Sequence, residues 1–232
     1  AYLMRFVFNG RIYQHLEQHK RVRVNEREWT AGVIELALVD IECINITSLE
    51  TQLEALVASR ASVVFFQEHK VRLRDRKKFR TMLREAGWAV HFSPCFEGGK
   101  KAAAGVGVMW RGDKVQIHAE RLKDPELLEA RAQGMVERYI MDVGWTDPHS
   151  VYNVYGKSGG SNVHVATTEA MLLACRRDMR MGVLYPTIVL GDFNATPNKL
   201  GPVKEWIHEE QWTDVGHRVD WWGGNPTTGR AT

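Results

Sequence analysis

Three things are scarce in this 232-residue chain. Cysteine is the first. Cys43, Cys95 and Cys175 stand far apart and are odd in number, which argues against a disulfide framework and against a CxxC metal site. That usage points to a reducing, intracellular setting, the nucleus included. Long apolar runs are the second. None reaches the roughly 18 residues of a membrane span, so no membrane partner is expected. The beginning of the chain also lacks a secretory pattern: Arg5 and Arg11 flank only a short apolar stretch with no small-residue cleavage site. Net charge is the third. Lys plus Arg total 31 and Asp plus Glu 28, leaving +3, which says little about partners. Repeats and low-complexity segments are missing as well. What remains is a globular composition, 44% hydrophobic, 25% charged and 9% aromatic, of a size for one large domain or two small ones.

The charges are unevenly spread. Lys70, Arg72, Arg74, Arg76, Lys77, Lys78 and Arg80 face one acid, Asp75. Such a cluster can meet the phosphates of a nucleic acid, and it can equally be the solvated face of a helix. Gly98-Gly99-Lys100-Lys101 forms a loop whose lysines can touch a nucleic-acid backbone, although it lacks P-loop spacing. Lys157 opens a second glycine- and serine-rich loop that runs to Asn162.

Residues 1–30 differ from the rest. They mix aromatics with a basic, His-containing stretch and are read as an N-terminal extension without an assigned structure, ahead of a domain over 31–232. Strands are expected within Val33–Ile46, then a helix capped by Thr47 with Glu50 as its capping-box partner. Val63-Val64-Phe65-Phe66 reads as a buried strand. A helix over Asp75–Ala86 should stop at Gly87. Further strands are expected at 88–92, 105–110, 115–119, 135–143 and 151–155. A long helix over Val163–Met181 and a strand over Thr187–Leu190, ended by Gly191, complete the reading. Several strand pairs lack an intervening helix, so the order predicts a mixed, layered α/β fold.

Several of these strands end in polar groups. Ile44-Asn45, Phe66-Gln67-Glu68, Val154-Tyr155 and Leu190-Gly191-Asp192-Phe193-Asn194 are the candidates. Strand ends hold side chains rigidly, as metal and phosphate chemistry requires. Mg2+ takes hard oxygen ligands, with one or two carboxylates and otherwise water and phosphate. Glu68 and Asp192 are the carboxylates best placed for it. Read singly, the Gln-Glu-His-Lys segment is an ordinary polar strand end and Asp192–Asn194 competes with a simple turn closed by Pro197.

Taken together and in order, these segments resemble the endonuclease/exonuclease/phosphatase superfamily. The carriers are Asn45 with Leu49, Gln67-Glu68 with Lys70, Gly105 to Val108, Tyr155, and Gly191 to Asn194. Within it, the chain looks most like the endonuclease domain of non-LTR retrotransposons, and next like apurinic/apyrimidinic endonucleases. The resemblance implies a four-layered α/β sandwich, two packed mixed sheets flanked by helices. It implies phosphodiester hydrolysis with Mg2+, or Mn2+ in its place, and a DNA substrate that is nicked. Glu68 would hold the metal and Asn45 would support it. Asp192 would handle the attacking water, Asn194 would contact the scissile phosphate, and Tyr155 would stabilise developing charge. Lys70, Arg72, Arg74, Arg76, Lys77, Lys78, Lys100, Lys101 and Lys157 would contact nucleic acid. No obligate protein partner is evident.

Two departures bear on activity. Thr47 stands where nicking members often carry Asp, which removes a hard oxygen ligand. The family's later Ser-Asp-His motif, which handles protons, is absent before the sequence ends at Thr232. Loss of a general acid/base typically costs about 10²–10⁴-fold in rate, so weak or no activity is expected from a truncated domain with open strand edges. His217 and His69 are poor substitutes; His69 should point away from Glu68 along the strand. A nucleic-acid-binding remnant and a phosphatase of the same superfamily are the competing readings.

Overall fold

The computed structural model describes residues 4–9, 39, 41–98, 102–113, 115–144, 147–182, 185–195, 199–208 and 212–214, with backbone alone for 4–9, 213 and 214. Ten strands and five α-helices are seen among them. The strands are β1 Met4–Asn9, β2 Ile41–Asn45, β3 Val63–Gln67, β4 Ala89–Phe92, β5 Val106–Trp110, β6 Gln116–Glu120, β7 Val136–Asp142, β8 His149–Tyr155, β9 Thr187–Asp192 and β10 Trp212–Asp214. The helices are α1 Leu49–Val57, α2 Arg76–Glu85, α3 Pro125–Ala132, α4 Asn162–Arg180 and α5 Gly201–His208.

The strands form two sheets, ordered β10-β1-β9-β8-β7-β6 and β2-β3-β5-β4. Both are mixed: β2 runs parallel to β3 and β8 parallel to β9, while the other pairs are antiparallel. Three apolar layers explain the stacking. Cys43, Val63, Phe65 and Val108 of the smaller sheet meet Ile117, Tyr139, Val151 and Leu190 of the larger one. Val64, Phe66 and Met109 face the other way, onto Leu49, Leu56, Phe79 and Leu83 of α1 and α2. Tyr152, Val154 and Val189 turn outward onto Leu127, Leu172, Cys175 and Trp206 of α3, α4 and α5. The result is helices, sheet, sheet, helices: the four-layered sandwich that the sequence implies.

Strand β3 shows why. All five of its residues are buried. Alternate side chains serve opposite faces of a sheet, so a continuous apolar run suits a strand covered on both sides. In α2 only Phe79 and Leu83 are buried; four residues apart, they share one face, and charged residues occupy the rest apart from Thr81 and Met82.

Local details depart from the sequence reading. Ser48, not Thr47, is the N-cap of α1, and it makes no side-chain cap bond. Thr47 instead adopts φ 54, and its N–H donates to Asn45 Oδ1 at 3.0 Å. Gly191 does not end β9, which continues through Asp192. Helices α3 and α5 were not expected. Helix α3 had a signal: Pro125 stands at its first turn, and Asp124 caps it by accepting from the Glu126 N–H at 3.0 Å. Met4–Asn9, inside the segment read as an extension, forms a strand between β9 and β10. Of the expected strands over 33–46, residues 33–38 lie outside the described residues, as do His217 and the segment after it.

Candidate active site

The parallel pairs β2/β3 and β8/β9 end at the same side of the sandwich. Asn45 is in register with Gln67, and Tyr155 with Asp192. Glu68 follows β3 directly. Alternation aims Asn45 and Asp192 into the gap between the sheets, since Cys43 and Leu190, two residues before each, pack there. Residues distant in sequence thus meet at one mouth.

Asn45 is the bridge. Its Nδ2 donates to Glu68 Oε1 at 2.9 Å and to Asp192 Oδ2 at 2.7 Å. Both amide protons therefore serve the two carboxylates, while its oxygen accepts from Thr47. Asp192 is 1% exposed, and its Oδ1 accepts the Asn194 N–H at 3.0 Å. Asn194 Nδ2 in turn donates to the Gly156 carbonyl at 2.7 Å. Lys70 Nζ lies 3.0 Å from Glu68 Oε2. Of the residues read as site candidates, Asn45, Glu68, Lys70, Tyr155, Asp192 and Asn194 come together here.

Burial raises the proton affinity of Glu68, but hydrogen bonds from Asn45, Lys70 and Tyr155 outweigh it and hold the carboxyl below its ordinary pKa. Glu68 is therefore an anion at neutral pH. Burial, together with the Glu68 carboxylate, pushes the Tyr155 phenol up to about 12. Tyr155 therefore remains a hydrogen-bond donor.

The backbone is strained here. Among the described residues, five without a glycine have positive φ: Thr47 (54°), Glu68 (60°), Lys70 (54°), Ala104 (55°) and Asn194 (50°). Such conformations cost about 1–3 kcal/mol each and persist only where the surroundings over-determine them. The surroundings of Glu68 do so. The N–H groups of His69 and Lys70 donate to the Gly105 and Ala104 carbonyls at 3.1 and 3.0 Å, and the His69 carbonyl accepts from Leu49 at 3.1 Å. The His69 ring is buried between Phe66 and Phe92 and accepts the Val71 N–H at 2.9 Å. It points away from the carboxylates, as alternation requires, and wedges the turn. Gly191 has a different reason: at φ +143° it lies against β8, where a Cβ would fall on the Val154 carbonyl.

A second polar pair lies behind the mouth and was not assigned a role from sequence. Asn153 and Gln67 are fully buried. Asn153 Oδ1 accepts from Gln67 Nε2 at 2.7 Å, and its Nδ2 donates to the carbonyls of Phe66 and Gly107 at 3.2 and 2.8 Å. Asn153 sits on one sheet and all three partners on the other. The only hint in the sequence is an amide interrupting an apolar strand.

The basic cluster does not act as one surface. Arg74 approaches Asp75 at 3.7 Å. Arg76 turns inward and donates to the Ser93 carbonyl at 2.6 Å. Lys78 lies over the Phe79 ring, and Arg72 is half-buried. Lys157 is exposed beside the mouth, its N–H donating to Thr168 Oγ1 at 3.0 Å. Lys77 and Arg80 face a groove on the outer side of the smaller sheet. Lys100 and Lys101 lie outside the described residues.

No group of three or more His, Cys, Asp or Glu side chains is found among the described residues. One ionised carboxylate, Glu68, with Asp192 tied to the same amide, still fits Mg2+, which keeps most of its shell as water and phosphate. Asn45 spends its nitrogen on the carboxylates and its oxygen on Thr47, so it would orient ligands rather than act as one.

No protein-family model and no curated protein matches the sequence. Solved structures do resemble the fold. The AP endonuclease of Leishmania major shares 14% identity at a TM-score of 0.53, over 80% of this chain and 69% of that one. The human Nocturnin catalytic domain with bound sulfate aligns at 16% identity and a TM-score of 0.45, over 66% of this chain. ANGEL2, a 2',3'-cyclic phosphatase, aligns at 17% and 0.46, over 74% of this chain. The chain spans 58% of the Nocturnin chain and 56% of the ANGEL2 chain. Among the described residues no helix is long and apolar enough to cross a membrane. With two mixed sheets, flanking helices and a polar mouth at their shared end, the chain has a fold like that of the Leishmania major AP endonuclease.

Proposed function

We propose that this chain hydrolyses phosphodiester bonds in nucleic acid, and that DNA nicking of the non-LTR retrotransposon type is its activity. The carrying observation is the Asn45 amide, which holds Glu68 and Asp192 at 2.9 and 2.7 Å. Two carboxylates of separate sheets are thereby fixed at one point. Glu68, ionised, would hold the divalent cation, with Asp192 alongside. Bound there, the ion would supply charge neutralisation at a phosphate.

The chain's own groups supply the rest. Asp192 is held in one orientation by Asn45 and Asn194, with its remaining lone pairs free to accept a proton from water. Tyr155 stays protonated and can donate to a phosphate oxygen as charge builds. Such placed donors are typically worth about 10²–10³ in rate. Asn194 reaches the same mouth on a strained turn. In this reading Asp192 would take the proton of the attacking water.

Lys70, seated on Glu68 at 3.0 Å, supports the second reading: a fold that binds nucleic acid without cutting it. Nicking of supercoiled plasmid with Mg2+ and with chelator separates the two. Slow, metal-dependent nicking that Glu68→Gln and Asp192→Asn each abolish supports hydrolysis. Binding with no metal-dependent cleavage supports the second reading. Undiminished cleavage by Glu68→Gln overturns the assignment of Glu68. A rise in wild-type melting temperature with Mg2+ that is lost in Glu68→Gln reports the ion directly.

A further inference from the structure

Lys77, Arg80 and Arg84 recur every three to four residues along α2, so they share one face. The structure makes this face one wall of a groove of about 670 Å³. The start of β4, at Ala89 and Val90, and the preceding Trp88 line the rest of it. None of the lining residues is acidic, and none of the three cations has an ion-pair partner among the described residues. Like charges at this spacing destabilise a helix by a few tenths of a kcal/mol per pair. In a chain of net charge +3, such an unrelieved row is a local choice that an anionic ligand would explain.

The groove's chemistry selects a backbone over bases. Trp88 is 1% exposed and covered by the Arg111 guanidinium, 4.3 Å over its ring, so it offers no face for stacking. Glycines at 87 and 112 leave the groove open, since a Cβ at either would meet nothing within 4 Å. The three cations span about 10 Å of helix at 1.5 Å per residue. One strand of a duplex presents a phosphate about every 3.4 Å of its axis, so about three phosphates lie within reach.

The groove is separate from the mouth. Ala89 is in register with Trp110, which pairs with Val63 at the opposite end of β3 from Glu68. Five residues along the strand and two strands across place it about 20 Å away. That corresponds to about six base pairs.

We propose that the α2–β4 groove is a second phosphodiester-backbone site that grips the flank of a nucleic acid about six base pairs from the bond at the mouth. This rests on the nucleic-acid reading above. Phosphate contacts fix register without reading sequence, so the site confers grip rather than specificity.

The test is fluorescence anisotropy of a labelled duplex of about 20 base pairs on the full chain, in chelator, from about 50 to 200 mM salt. Each phosphate contact contributes about 0.9 to the slope of log K against log salt. Lys77→Ser/Arg80→Ser/Arg84→Ser should flatten the slope by about 2.7. A control triple of exposed residues on the larger sheet's side, Arg121→Ser/Arg180→Ser/Lys204→Ser, should change it by less than about 1. An unchanged slope in the groove triple, or an equal fall in the control, overturns the proposal. Should the triple misfold by circular dichroism, Arg84→Ser alone should lower the slope by about 0.9, and no change there overturns it equally. Hydrolysis of bis(p-nitrophenyl) phosphate, too small to span the two sites, keeps the readings apart. Its absence in the wild type would count against catalysis and leave the groove result standing.

Discussion

Asn45 does the most of any single residue at the mouth. Without its amide, Glu68 and Asp192 would face each other with fewer donors and looser orientation. Outer partners of this kind typically change metal affinity or activity by about 10–100-fold. Asn45→Ala should therefore lower kcat/KM by about that factor and shift the Mg2+ requirement upward, as read by metal titration of the nicking rate. Asn45→Asp should be worse, because it replaces a donor to two carboxylates with a third negative charge. Tyr155 makes a different prediction. Its phenol remains protonated across the working range because burial and Glu68 keep its pKa near 12. Tyr155→Phe should then lower kcat by about 10²-fold or more with little change in KM. The loss should be the same from pH 6 to pH 9. A loss that varied with pH in that window would show that the phenol titrates there.

At the scale of elements, the two sheets are held by apolar packing and by one polar staple. Asn153 on β8 reaches three groups of β3 and β5. Replacing it with Leu would remove two hydrogen bonds to buried carbonyls and leave Gln67 Nε2 only its 3.4 Å contact with Cys43 Sγ. Each unsatisfied buried group costs about 1–3 kcal/mol. Asn153→Leu should destabilise the fold by several kcal/mol in urea titration, and Asn153→Ser should recover part of that loss. A change under about 0.5 kcal/mol would show that water replaces the staple at no cost. Helix α4 is seated by a comparable polar group. Asp178 is fully buried on it and accepts from Tyr152 at 2.7 Å and from the N–H groups that lead into α3. The elements legible from sequence were those with strong periodicity, notably β3, α2 and α4. Helix α5 was missed because it is short and opens with Gly201-Pro202, residues that usually interrupt a helix pattern. The N-cap of α1 shifted to Ser48 because Asn45 claims the Thr47 N–H.

Across the whole molecule, one buried and one half-buried histidine, His69 and His91, set a pH dependence. Burial, then Arg76, pulls His69 down to about 3. Burial and the nearby Arg80, Arg131 and Arg76 pull His91 down to about 4. Both are neutral when folded, whereas the unfolded chain protonates near 6.5. The unfolded state thus binds more protons below that value, so stability rises with pH there. It should be complete above about pH 7 and fall by up to about 1.4 kcal/mol per pH unit per histidine below 6.5. Glu68, held low, adds a further loss only once pH falls below the ordinary carboxylate range. Urea midpoints from pH 8 to pH 4.5 would show this. A flat profile between 6.5 and 5 would mean that the histidines reach solvent.

The sequence by itself determined the layered α/β class, most strand positions and the residues that meet at the mouth. It could do so because alternation and apolar runs are local, and because the ordered motifs carry a family pattern. Tertiary structure decided what no local pattern encodes. Asn45 joins carboxylates from residues 68 and 192, and Asn153 ties one sheet to the other, because register across sheets brings distant strands together. It also divided the basic cluster. Arg76 turned inward and Lys70 went to Glu68, while Lys77 and Arg80 gained Arg84 on a separate wall. Charge along a chain is one-dimensional, but a helix and its neighbours sort that charge by face, and only folding supplies the faces.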